Sequence, residues 1–147
     1  MFKKLLFLCL FCFNCYAASV SNNEDIAKQG VTKALNNSVA CWNSADLSCF
    51  MDFYVKDNDT LFISGTQILH GWQQFYDNYQ KKYATDKSGM GQLEIKISGI
   101  TLLDSKHAFL YGHWKNKHEN IENSGVISMI FVKTGSKWQI MATHSNG

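Results

Sequence analysis

The last third of the chain constrains the fold most. Gly112-His113-Trp114, then Gly125 through Val132, then Lys137 through His144 are segments in which apolar side chains recur at alternate positions between polar stretches. A period of two sends alternate side chains to opposite faces of a sheet. The segments are therefore predicted as successive antiparallel strands, roughly 107–116, 124–133 and 137–144. In strand 124–133, Val126, Ile130 and Val132 take one face with Ser128 as the polar break, and Ile127, Met129 and Phe131 take the other. The same alternation sets His144 beside Trp138, Ile140 and Ala142 on the apolar face of the last strand. An ionisable group on such a face points to a fold built around a pocket.

The rest of the chain supplies a fourth long strand and the cover. Leu93, Ile95 and Ile97 alternate with Glu94 and Lys96, but beyond Ser98-Gly99 the apolar positions move to Ile100 and Leu102. A glycine at a change of phase is the mark of a β-bulge, and bulges curve sheets. Asn22–Asn43 is predicted as a first helix, capped by Asn23, with Ile26, Val31, Ala34, Leu35 and Trp42 at near-helical spacing. Asp46 caps a short second helix that turns Leu47, Phe50, Met51 and Tyr54 inward. Thr60–Ser64 and Ile68-Leu69 are short strands, and Gly71 opens a third helix with Trp72, Phe75, Tyr76, Tyr79 and Tyr83 on an aromatic stripe. Asp86 to Gly91 is predicted as a flexible turn. The order defines one α+β domain over residues 18–147, a length that buries a real core.

Residues 1–17 read as a cleaved export signal. Met1-Phe2-Lys3-Lys4 is a positive start, Leu5–Phe13 an apolar run too short to span a bilayer, and Cys15-Tyr16-Ala17 a small-residue cleavage site. The mature chain then starts at Ala18, in the periplasm or outside the cell, with no membrane span. Cleavage removes Lys3 and Lys4 from fourteen basic side chains, which leaves twelve against twelve acidic ones. There is no arginine, so neither the basic face nor the guanidinium forks of a nucleic-acid binder are present. Cleavage also leaves two cysteines, Cys41 and Cys49, on either side of the Asn43-Ser44-Ala45 bend. They are either a disulfide, as an exported chain invites, or two small buried thiols.

The residues Trp42-Asn43-Ser44-Ala45-Asp46, Phe62-Ile63-Ser64, Leu69-His70-Gly71-Trp72, Met90-Gly91-Gln92-Leu93, Ala108 through Trp114, and Lys137-Trp138-Gln139-Ile140 with Thr143-His144 occur in an informative order. In that order the chain resembles the nuclear-transport-factor-2-like superfamily, specifically its SnoaL-like and ketosteroid-isomerase-like branch. The resemblance implies a cone: a strongly curved, mostly antiparallel sheet with three helices of the N-terminal half packed on its concave face. It also implies homodimers that pack sheet against sheet, which suits a strand 126–132 apolar on both faces. The isomerase pattern places a carboxylate near the end of the first short strand. Here that stretch is Leu61-Phe62-Ile63-Ser64-Gly65, with no acid.

His144 is the candidate catalytic residue, a group able to act as acid or base near neutral pH. Trp42, Tyr54, Trp72, Tyr79, His113 and Ser128 are the candidate ligand-binding residues, the aromatics as stacking surfaces. No cofactor is expected. Nor is a metal: His107 and His113 stand about 20 Å apart along one strand. These readings lead to an exported, dimeric domain that binds a small apolar or aromatic molecule. Two alternatives stay open. One is an isomerase, cyclase or hydrolase with His144 as general base; the other is a protein-interaction module that uses the sheet surface.

Overall fold

The computed structural model describes residues 8–147, with side chains described from residue 22 onward. The expected export signal at residues 1–17 falls outside the described side chains, and residues 1–7 outside the description altogether. Helix α1 spans Leu8–Asn43, α2 Leu47–Met51 and α3 Trp72–Tyr83. Strands are β1 (Leu61–Ser64), β2 (Gln67–His70), β3 (Gln92–Leu102), β4 (His107–His118), β5 (Ile121–Thr134) and β6 (Lys137–Asn146). The predicted start of the first helix at Asn22 is not a start, because α1 runs straight through it. Neither glycine nor proline interrupts the chain between Leu8 and Gln29, so nothing there stops a helix. The predicted flexible turn at Asp86–Gly91 instead holds a 3-10 turn, Lys87–Met90, with Asp86 accepting from the Ser88 N–H at 2.9 Å.

The six strands form one mixed sheet in the order β2-β1-β6-β5-β4-β3. The β1–β6 pair is parallel and the others are antiparallel. The predicted cone does not form. The sheet is open and not strongly curved, with β2 and β3 ending the order at two free edges. Its two irregularities do not close it. One lies between Ile97 and Gly99, where the sequence predicts it, and the other passes over Met141 opposite Ile130 and Phe131. Each inserts a single residue, which reverses side-chain phase locally but does not roll a long ladder round on itself.

The helices cover one face of this sheet. Leu35 of α1, Met51 of α2 and Phe75 of α3 share a fully buried core with Leu110, Phe131 and Ile140 from the inner sheet face. Asp46 caps α2 by accepting from the Cys49 N–H at 3.0 Å. Cys41 and Cys49 are joined as a disulfide, with Cα atoms 5.5 Å apart, which fastens α2 to the end of α1. Gly30 permits a close approach of α1 to the sheet: a Cβ there would stand 2.7 Å from the Trp138 indole. Gly99 does the same on the outer face, where the Tyr111 ring lies across it and an added Cβ would come within 2.6 Å of the hydroxyl.

Candidate functional site

An aromatic cavity of about 270 Å³ lies between the helices and the inner face of the sheet. Its wall grows out of the apolar stripes of all three helices. Trp42 at the end of α1 meets Phe50 of α2 edge-on at 5.0 Å and Tyr79 of α3 at 5.5 Å. Phe62 of β1 stacks on Phe75 at 4.3 Å, and Tyr54 meets that same Phe75 edge-on at 4.9 Å. These edge-to-face and offset contacts are the favoured geometries of aromatic pairs. They leave the rings little freedom to collapse into the space they surround.

Polar anchors fix the frame. The Trp42 indole N–H donates to the Met90 carbonyl at 2.8 Å. Asn43 clasps the start of β3: its amide donates to the Leu93 carbonyl at 2.9 Å, and its carbonyl accepts from the Leu93 N–H at 2.6 Å. Burial raises the Tyr54 hydroxyl from 10.0 to about 12; the Thr143 hydroxyl beside it offsets part of the rise, without the geometry of a formed hydrogen bond. Tyr79 is held well above its ordinary value, first by burial and then by the neighbouring Tyr54 and Tyr83. Both phenols are therefore neutral at any physiological pH.

Three residues of the lining carry a buried polar atom with no hydrogen-bond partner: Trp114 Nε1, Asn116 Oδ1 and Thr143 Oγ1. Buried polar groups are nearly always paired, and leaving one unpaired costs about 1–3 kcal/mol. All three residues border the one cavity. The lining holds no Asp or Glu side chain, and Lys82 is its charged side chain.

Comparison with known proteins bears on the whole architecture. No protein-family model matches the chain, and no curated protein does. Solved structures do. An NTF-2 like protein of unknown function from Shewanella oneidensis MR-1 superposes with a TM-score of 0.79 at 26% identity, over 82% of this chain and 99% of its own. The chain has the NTF2-like fold. An NTF2-like superfamily protein from Salmonella enterica serovar Typhimurium gives a TM-score of 0.65 at 19% identity, over 84% and 92% of the two chains. An NTF2-like protein of unknown function from Pseudomonas putida gives 0.67 at 11%, over 83% and 87%. These likenesses show the NTF2-like fold, and none of the three names specifies a branch within it.

Within this NTF2-like frame the sequence-derived residues separate. Trp42, Tyr54 and Tyr79 line the cavity together. Trp72 does not: its indole N–H donates to the Met51 carbonyl at 2.9 Å, and its ring stacks on Tyr76 at 5.1 Å. His113 and Ser128 lie on the outer sheet face, His113 with the Ser98 hydroxyl 3.5 Å from its Nδ1 and Ser128 in register with Tyr111 and His144. His144 is exposed on that same outer face and does not enter the cavity. The expected inward orientation fails at Met141. The bulge there keeps Trp138 and Ile140 inward but moves the next inward position from Ala142 to Thr143.

The sequence reading missed Thr143, Trp114, Asn116 and Lys82. Trp114 and Asn116 continue the inward alternation of Ala108, Leu110 and Gly112, so that pattern was available to find them. Thr143 lay behind the unmarked bulge. Among the described residues no group of three or more His, Cys, Asp or Glu side chains is placed to hold a metal, and no helix is long and apolar enough to cross a membrane.

Proposed function

We propose that the chain is an exported, homodimeric domain of the SnoaL-like kind that holds a small, mostly apolar molecule in its aromatic cavity. The observation that carries this reading is the coincidence of aromatic walls with three partnerless polar atoms around one space. Ligand sites share this composition: apolar walls with a few polar groups that set orientation. An engineered cavity of about 150 Å³ takes benzene, so 270 Å³ suits a ligand of one or two rings. Binding without catalysis is the reading preferred, because the lining lacks a carboxylate side chain and His144 is on the other side of the sheet. The Met1–Ala17 pattern supports export, and the Cys41–Cys49 bond suits an oxidising compartment.

A specific observation favours the homodimer. Ile68 (64% exposed), Val126 (52%) and Tyr111 (45%) stand on the outer sheet face, where half-buried Ile63, Phe109 and Ile130 also lie. Apolar surface of that extent on one face suits a second copy.

Native mass spectrometry of the chain recovered from its exported fraction tests the reading. A dimer whose subunits have lost residues 1–17, are lighter by the two hydrogens of one disulfide, and carry an added small-molecule mass is expected. A full-length monomer that is empty and takes up no aromatic probe on titration overturns it.

A further inference from the structure

We propose, building on the binding reading above, that the ligand is a small aromatic carboxylate, its ring among the cavity aromatics and its carboxylate at the mouth against Lys82. Several of the cavity's polar groups can donate a hydrogen bond. An indole N–H can only donate, and tyrosine and threonine hydroxyls can donate; Trp114, Thr143, Tyr54 and Tyr79 supply four such groups to one lining. Thr143 is 4% exposed and its hydroxyl has no partner. Asn116 Oδ1, which can only accept, is packed against Gly91, where an added Cβ would come within 3.0 Å of it.

Charge points the same way. Lys82, in the last turn of α3, is the charged side chain of the lining, and no Asp or Glu borders the space. Among the described residues Lys82 forms no ion pair, either with a carboxylate side chain or with the terminal Gly147 that also borders the cavity. Its ammonium sits 5.3 Å over the Tyr83 ring, and Tyr83 stacks on Tyr79 at 5.8 Å. The cation is thus held along the aromatic wall at the mouth. A cationic ligand meets the Lys82 charge at the mouth, and an anion placed there pairs with it.

The test is calorimetric titration of the mature chain with 3-phenylpropanoate and with its neutral isostere 3-phenylpropanamide, on wild type and Lys82→Gln. Because Lys82 is exposed, its replacement leaves the core untouched. The acid is expected to bind about fivefold tighter than the amide at low salt, as an exposed ion pair allows. That preference should fade with added salt and vanish in Lys82→Gln as acid affinity falls. Equal binding of acid and amide, or a preference that survives Lys82→Gln, overturns the carboxylate assignment and leaves the binding reading standing. Binding of neither probe overturns both.

Discussion

At the scale of single residues, the cavity depends on phenols that are costly to ionise. Tyr54 carries the measurable consequence. Its hydroxyl is raised from 10.0 to about 12 by burial, so between those values the unfolded chain has lost a proton that the folded chain still holds. Unfolding then releases a proton, and stability falls as pH rises. Its contribution is constant below pH 10 and declines between 10 and 12, by roughly 2–3 kcal/mol in all. Tyr79, raised for the same first reason, adds to the decline in the same direction. Denaturant unfolding at about pH 9 and pH 11 measures it: Tyr54→Phe is expected to lose less stability over that interval than wild type. Equal losses would place Tyr54 in contact with solvent. The residue scale is also where the sequence was most readable for the wall and least for the polar groups. Trp42 and Tyr79 follow from helical spacing, which depends only on near neighbours, whereas Tyr54, expected on the second helix, lies beyond its end at Met51 and bridges to Ile140. Which hydroxyl or indole N–H lacks a partner depends on every element that packs around it, and no local pattern encodes that.

Elements show why one bulge was legible and the other was not. The bulge in β3 falls at Ser98, beside Gly99, where a residue without Cβ coincides with a visible change of phase. The bulge in β6 falls at Met141, which carries no such mark. Its cause lies far away in the chain. The Ile140 N–H donates to the Phe53 carbonyl at 2.8 Å, and the Val55 N–H donates to the Ile140 carbonyl at 2.9 Å. The segment after α2 thus takes Ile140 for itself, and β6 joins β1 only from Ala142 onward. That long-range exchange turned Thr143 towards the cavity and His144 away from it. The element most exposed to test is α2. Five residues long, it is too short to persist alone and is held by the Asp46 cap and the Cys41–Cys49 bond. A crosslink spanning 8 positions contributes about 2–3 kcal/mol by the loop-entropy relation. Reduction is therefore expected to lower unfolding stability by about that amount. It should also loosen the Phe50 side of the cavity, so that any bound aromatic probe weakens together with the melting temperature. A reduced chain that melts and binds as the oxidised one does would remove the bond from both roles.

The whole molecule has two faces with different tasks. The inner face of the sheet is consumed by the helices and the cavity, whereas the outer face keeps Ile68, Val126 and Tyr111 largely exposed across the middle strands and one edge. The apolar alternation of strand 126–132 on both faces already marks the outer face as a surface of its own. An open sheet does not hide its back, and a second copy laid against it would bury the row Tyr111, Ser128, His144 and Ile63, which the strand register aligns. In that arrangement Ser128 and His144 are interface residues and not cavity residues, which accounts for a histidine and a serine interrupting an apolar surface. Val126→Lys is the discriminating variant. Val126 is 52% exposed in the single chain, so a lysine there fits the monomer without strain and opposes only a partner. Size-exclusion chromatography with light scattering is expected to give a dimer for the wild-type chain and a monomer for Val126→Lys. The circular dichroism of the two should coincide, and 3-phenylpropanoate should titrate the variant's cavity as it does the wild type's. A wild-type chain that is monomeric at tens of micromolar, or a variant that stays dimeric, would detach the outer face from self-association and leave its apolar surface to a different partner.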